Sequence, residues 1–505
     1  MKKILGYLPI LLLLFGCEDF LNREAYNQID SNHYYTNETE LNTAVLACYN
    51  GIHKTLDREF FVTEWRSDNT RCDRVPQAGD ELALGNLDTF SVLTDNIFSN
   101  AYWEAAYHNI ANCNVVLQYL GNVDNPEKRI QFEAEARFIR AYHYFNLVRL
   151  YGPLFIVSER ISHEVAKLYE RSSVEDVYQF IIDDLKFGAD NLTEKYDDAD
   201  LGRVDQWGAK TLLAKVYLTL SQNGRNKEIL TEAKTLLEDV KDHSGYGLLT
   251  DKGSKSSAYA NLFNIDNELN KEMIFVSRYL SGGKGIGSPF GNYFAPRGSE
   301  GNVIYGGVSG YNQPTKDLIA AYTAGDTRKD VSLKESFINK LGNEEKTPYV
   351  CKYTNPVTVR YDGESDWPIL RFADVLLMLG EIENELNGPT DVAKGYLKQI
   401  RTRAGVPTGD VDVVMYKNEY RDLMAKERRL EFAFENHRFF DLQRTDKLMD
   451  VMKEHFQTED SKFYQREQYV TIYVDVTKLQ PWKFVLPIPY NVMITTTNAS
   501  QNAGY

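Results

Sequence analysis

Apolar residues recur with a helical period through much of the chain. Phe138, Ala141, Tyr142, Phe145 and Val148 fall at i, i+3, i+4, i+7 and i+10, which is one face of a helix. Gly152-Pro153 is a stop signal for it. A second stripe, Ala209, Leu213, Val216, Tyr217 and Leu220, ends near Asn223-Gly224. A third comprises Phe372, Val375, Leu376, Leu379, Ile382 and Leu386 and is closed by Asn387-Gly388-Pro389. Pro368 reads as a first-turn residue of this third helix, behind a cap at Asp366. A further helix is predicted over roughly Tyr420 to Asn436.

The first two stripes share a pattern of small and aromatic positions. Ala136-Arg137-x-Ile139-x-Ala141-x-x-Tyr144 is echoed by Ala209-Lys210-x-Leu212-x-Ala214-x-x-Tyr217, 73 residues later. That spacing is close to two periods of the ~34-residue tetratricopeptide repeat. Alanine at close-contact positions, with large aromatics between, suits antiparallel helix pairs stacked as a solenoid. The fold class predicted is mainly α: a tetratricopeptide-like scaffold over about 30–245 and 367–445, followed by a C-terminal segment, 446–505. Between the two scaffold parts the character changes. Gly282 to Gly310 holds 10 glycines in 29 residues, with Tyr293, Phe294 and Tyr305 among them and Tyr311 just beyond. Glycine at that density prevents long regular elements. Residues 246–366 therefore read as an insert of loops and short strands, the kind of segment that carries binding residues on a rigid scaffold.

The N-terminus sets the compartment. Lys2 and Lys3 precede an apolar run from Ile4 to Phe15, too short to span a bilayer but right for a signal peptide. Gly16-Cys17 closes it and resembles the bacterial lipobox. Residues 1–16 are then a lipoprotein signal peptide, and Cys17 becomes the lipidated N-terminus of a single domain, 17–505. No later stretch approaches 18 apolar residues. The mature protein is expected to be lipid-anchored and otherwise soluble.

Composition narrows the function. With 57 Lys+Arg against 72 Asp+Glu, the net charge is −15, and loss of Lys2 and Lys3 with the signal takes it to −17. Phosphate-backbone affinity needs clustered cations, so nucleic acid is excluded as a general partner. Aromatics make up 12% of the chain, led by 33 Tyr, the aromatic that tolerates a wet edge. Cys48, Cys72, Cys113 and Cys351 are too sparse to form a disulfide framework and are expected as free buried thiols. There is no nucleophile elbow, P-loop, H-E-x-x-H or EF-hand loop, and the eight His are scattered. No catalytic residue, cofactor or metal is predicted.

Several segments resemble the SusD/RagB outer-membrane nutrient-binding lipoproteins of Bacteroidetes. The hallmark helix is Glu133–Leu154, and Cys17-Glu18-Asp19-Phe20-Leu21 is similar to the family's post-lipobox segment. Trp103, Tyr107, Ile110 and Asn112 match a second helix motif. Arg371–Leu377, Ile400–Gly405, Glu427–Arg444 and the closing stretch Leu486–Tyr505 follow in family order. Asn436 stands where glycine is common, and Ala503 where proline is common. Within Glu427–Arg444, the residues Arg428, Arg429, Glu431, Glu435, Arg438, Asp441 and Arg444 read first as an ion-paired network tying the last helix to the solenoid, because buried charges must be paired.

The resemblance implies a binding protein, not an enzyme. It implies a surface lipoprotein of the outer membrane, seated on a TonB-dependent SusC-like transporter, that captures oligosaccharide. Peptide capture by the same architecture is the alternative, and a glycoside hydrolase a more distant one. Two regions are candidates for the site. One is the polar loop around Trp65, with Arg66, Asp68, Asn69 and Arg71 offering forked donors, an acceptor and an amide; its other reading is a structural turn with internal caps. The second is the aromatic insert, Tyr293, Phe294, Tyr305 and Tyr311, whose other reading is packing of a long loop onto the scaffold.

Overall fold

The computed structural model describes residues 34–72, 79–457 and 475–505. Cys17 and the signal segment lie outside them.

The longer helices are α1 (Glu38–Val62), α2 (Ile97–Gln118), α3 (Pro126–Tyr151), α4 (Val174–Asn191), α5 (Gln206–Leu220), α6 (Lys227–His243), α7 (Phe372–Asn387), α8 (Asp391–Ala404) and α9 (Lys417–Glu431), followed by the short α10 (Arg438–Arg444). Most begin on a side-chain cap. Asn37, Asn96, Asn125, Ser173, Asp205, Asn226 and Thr390 each accept a backbone N–H of the first turn. Gly152 (φ 71°) and Gly388 (φ 92°) end α3 and α7 where the stop signals stand.

Each helix packs on the next: α1 on α2, α2 on α3, α3 on α4, α4 on α5 and α5 on α6. The series does not break at the insert. Helix α6 packs on α7, more than a hundred residues later in sequence, and α7 carries α8 and α9. The insert is thus spliced into a continuous solenoid. Small residues make the close approaches: a Cβ on Gly188 of α4 would lie 3.3 Å from the Cβ of Ala209 on α5, one of the repeated alanines. The buried faces of these helices, including Trp103, Tyr144 and Tyr217, merge into one large core.

The insert holds only short elements. The strands are β1 (Thr70–Arg71), β2 (Met273–Ser277), β3 (Gln313–Pro314), β4 (Leu333–Lys334), β5 (Phe337–Ile338), β6 (Glu344–Glu345), β7 (Tyr349–Val350) and β8 (Trp367–Arg371). They pair antiparallel as β1–β3, β2–β8, β4–β7 and β5–β6. Pro368 corrects one expectation. It lies in β8, opposite Val276 of β2, and α7 starts only at Phe372. A two-stranded ladder leaves one strand edge unpaired, and a residue without N–H is tolerated there.

Buried charges lock the insert to the scaffold. Arg371 donates to Glu272 at 2.8 Å, to Glu431 at 3.1 Å and to Glu435 at 2.8 Å. Arg403 reaches Glu272 at 3.1 Å and also pairs with Glu431. From the insert, Arg328 meets Glu427 and Glu431, and Lys352 meets Glu435 at 2.9 Å. Arg428 joins Asp374 and Asp441, and Arg444 joins Asp441 and Glu381. Losing one partner from such a cluster leaves an uncompensated buried charge. Asn436 has φ 64°, a backbone state that glycine and asparagine accept most easily. Among the described residues Cys48, Cys72, Cys113 and Cys351 form no disulfide; the first three are buried and Cys351 is half-buried. Among the described residues no helix is long and apolar enough to cross a membrane.

Candidate functional site

The loop around Trp65 is interior. After α1 the chain makes a 3-10 turn, Glu64–Arg66, then enters β1. Trp65 is 1% exposed, edge-on to Phe61 and Tyr311. Arg66 is buried over the rings of Phe90 and Phe439 and donates to the carbonyls of Lys483 and Phe484. Burial lowers its guanidinium pKa to about 10. Asp68 is buried as well. Burial alone would raise its pKa, but Arg438 and Arg429 beside it hold the carboxyl well below the usual range. Asn69 donates to Glu64 at 2.9 Å and accepts from Arg429 at 2.8 Å. The expectation of a ligand-facing loop at Trp65, Arg66, Asp68 and Asn69 is therefore corrected. All four side chains are buried, which leaves little surface for a ligand, although the Trp65 Nε1 and two of the Arg66 nitrogens have no hydrogen-bond partner among the described residues.

The far end of that loop does reach the insert. Thr70 pairs with Pro314 and Arg71 with Gln313, and the Arg71 Nε donates to the Gln313 side chain at 2.8 Å. Arg71 is half-buried. The strand pair sets Tyr311 beside the end of α1, its ring 5.0 Å from Phe61. From there the aromatics continue outward: Tyr311 to Tyr293 at 5.9 Å, and Tyr293 to Tyr361 at 5.3 Å. All three tyrosines are half-buried, and Tyr293 and Tyr311 lie against Phe60, which is core and packs edge-on to Phe294. Phe294, at 1% exposed, is thus packing and not platform, whereas Tyr305 is 60% exposed.

One buried side chain organises this face. Asn292 donates through Nδ2 to the carbonyls of Tyr305 and Gly307, at 3.0 and 3.1 Å. Its Oδ1 accepts the N–H of Tyr361 at 2.9 Å, which holds Tyr361 at φ 63°. The Tyr361 loop is also pinned to the glycine run. Asp362 accepts from Gly282 and Gly283 at 2.8 and 2.9 Å, and Ser288 and Gly363 exchange backbone bonds. A Cβ on Gly287 would come within 2.5 Å of the Asp362 Cα, so only glycine fits at that crossing.

Charged groups frame the rings. Arg360 stacks over Tyr361 at 4.2 Å and donates from Nε to Gly307 at 3.1 Å. Asp57 and Arg58, at the end of α1, lie beside Tyr293. Burial raises the Tyr293 phenol to about 12, Asp57 adding to the shift and Arg58 opposing it. Burial likewise lifts Asp57 to about 6 against the pull of Arg58. Sequence reasoning missed Asp57, Arg58, Asn292, Arg360 and Tyr361. The adjacent Arg360-Tyr361 pair, just before Asp362-Gly363, was the one local signal. Among the described residues no group of three or more His, Cys, Asp or Glu is placed to hold a metal.

The helical-repeat scaffold has the SusD-like fold. A laminarin-binding SusD-like protein superposes with a TM-score of 0.75 at 23% identity, over 93% of this chain and 100% of that one. A SusD homologue from Bacteroides thetaiotaomicron gives 0.79 at 20% identity, over 96% and 100%. The family model described as "SusD family" matches residues 338–505, and "Starch-binding associating with outer membrane" matches residues 19–218. A SusD-like protein of Formosa agariphila is 26% identical over an alignment of 564 positions, covering 100% of this chain and 99% of the relative. One from Bacteroides ovatus is 27% identical, covering 87% and 82%. The chain belongs to the SusD/RagB family.

Proposed function

We propose that this protein captures oligosaccharide on the Tyr293–Tyr311–Tyr361 face for nutrient uptake at the outer membrane. The observation that carries the reading is the run of three half-buried tyrosine rings, held on loops over a rigid core. Sugar C–H faces stack on such rings, while the rim groups Asp57, Arg58 and Arg71 meet hydroxyls with directional bonds. Family membership supports it, as do the solved laminarin-binding relative of this fold and the starch-binding description of one matching family model. The protein acts by binding, not by turnover. It is anchored by lipid on Cys17, faces the cell surface, and passes its ligand to a SusC-like TonB-dependent transporter.

Isothermal titration of the mature chain against a broad oligosaccharide panel tests the reading. Heat from at least one glycan class is expected. Silence across all classes from a folded sample overturns it, and binding of a random peptide pool alone would move the assignment to oligopeptides. For the anchor, Cys17→Ser should release the protein from the membrane fraction.

A further inference from the structure

We infer that the ligand of this face is anionic, an oligosaccharide bearing uronate carboxylates or sulfate esters, gripped by Arg58, Arg297 and Arg360. The inference rests on the reading of the face as a glycan site and names its substrate class.

Several buried arginines elsewhere in the molecule are matched by carboxylates, Arg140 by Asp184, Arg328 by Asp326, Arg371 by Glu435 and Arg438 by Asp68, although Arg66 is bonded to carbonyls alone. The three at this face are not matched by carboxylates. Arg58 makes one long bond, 3.5 Å, to the Asp57 carbonyl and also donates toward the Tyr293 hydroxyl. Arg297 donates from Nε to the Ser309 carbonyl at 3.2 Å. Arg360 uses Nε on Gly307 and one terminal nitrogen on the Tyr361 hydroxyl. None of the three forms an ion pair with a carboxylate among the described residues; Asp57 feels the charge of Arg58 without pairing to it.

Their placement follows the rings. Arg58 adjoins Tyr293, Arg360 covers Tyr361, and Arg297 is bonded to Ser309, two residues before Tyr311. Arg58 and Arg297 are half-buried and Arg360 is exposed, so their remaining N–H donors can be reached by a ligand. A guanidinium fork matches a planar carboxylate or a sulfate edge, and it is more weakly hydrated than an ammonium group. A neutral sugar would draw only on stacking and single hydrogen bonds, leaving these charges unused.

The chain as a whole is acidic, at −15, which opposes a polyanion. At physiological ionic strength, however, screening sets in beyond about 8 Å. Local groups therefore decide the encounter, and those beside the rings are Arg58, Arg297 and Arg360 against Asp57 and Asp362.

The experiment is titration of the mature full chain with three oligosaccharides of equal length: uronate-bearing, sulfated and neutral. Each is run at low salt and at about 0.5 M salt. At least one anionic ligand should bind about tenfold or more tighter than the neutral one, and the gap should shrink in high salt. Which anionic arm binds identifies the oxyanion. Arg58→Gln with Arg360→Gln should weaken anionic binding about tenfold or more at unchanged melting temperature. Arg129→Gln, on the exposed side of α3, is the control and should change nothing.

Neutral binding as tight as anionic, or a preference untouched by the arginine variants, overturns this inference and leaves the glycan reading standing. No binding in any arm also overturns this inference, while the glycan reading falls only if the broad panel is silent as well. Binding of peptides alone also removes both, because the arginines would then serve a chain terminus.

Discussion

The Arg438 guanidinium donates to both carboxylate oxygens of Asp68, at 2.8 and 2.9 Å, across 370 positions of sequence. Arg429 adds a second cation 3.1 Å from the same group. A polar loop after the first helix is thereby fastened to the last helices of the solenoid. Arg438→Ala should cost about 3–5 kcal/mol in urea unfolding, because it strips a buried carboxylate of its two-pronged partner. Glycan affinity of the folded protein should stay near wild type. A loss below 1 kcal/mol would mean that water or Arg429 replaces the pair.

Trp65→Ala should behave as a core truncation. The side chain is packed between Phe60, Phe61 and Tyr311. A loss of about 3–5 kcal/mol is expected from the cavity alone, read by thermal or chemical melting. Unchanged stability with abolished glycan binding would return Trp65 to the ligand site.

Glu64 makes part of the stability depend on pH. Burial raises its carboxyl from 4.5 to about 7, with hydrogen bonds from Asn69 and the Phe434 N–H opposing the rise. The folded state binds this proton more tightly than the unfolded chain does. The contribution is therefore full below about 4.5 and lost as pH rises through about 7. Glu64→Gln should raise stability at pH 8 by about 1–3 kcal/mol relative to wild type and flatten the slope between pH 5 and 8. Glu59 and Asp88, each raised by burial to about 7, keep some slope in the variant. An unchanged urea midpoint difference between the two pH values would refute the assignment.

Asn292 should matter more for binding than for global stability. Its amide ties the Tyr305–Gly307 loop to Tyr361. Asn292→Ala leaves two carbonyls and one N–H without their partner, a cost of about 1–3 kcal/mol that local loosening can relieve. Glycan affinity should fall about tenfold or more, as it should for Tyr361→Ala, which removes a ring outright. Equal affinity in both variants would place the site elsewhere.

Some of this was legible in the chain and some was not. Helix period, stop residues and the repeated Ala–Tyr pattern are local, and α3, α5 and α7 end close to where those signals stand. Glycine density marked the insert for the same reason: backbone freedom is a property of each residue. Pro368 misled because a proline after an acidic residue looks alike before a helix and in the edge of a two-stranded ladder. Arg428, Glu431, Glu435 and Asp441 read correctly as an ion-paired network, since charges that sit on the apolar side of a helix must find partners.

The sequence by itself determined the family, the helical scaffold and the position of the insert, because each is written in short-range spacing. It did not determine which polar residues are buried. Only the tertiary structure decided that. Asp68 is buried because arginines from the far end of the chain neutralise it, and Tyr361 meets Tyr293 because one buried asparagine bridges their loops. Exposure depends on what packs over a residue, and the covering groups here come from hundreds of positions away.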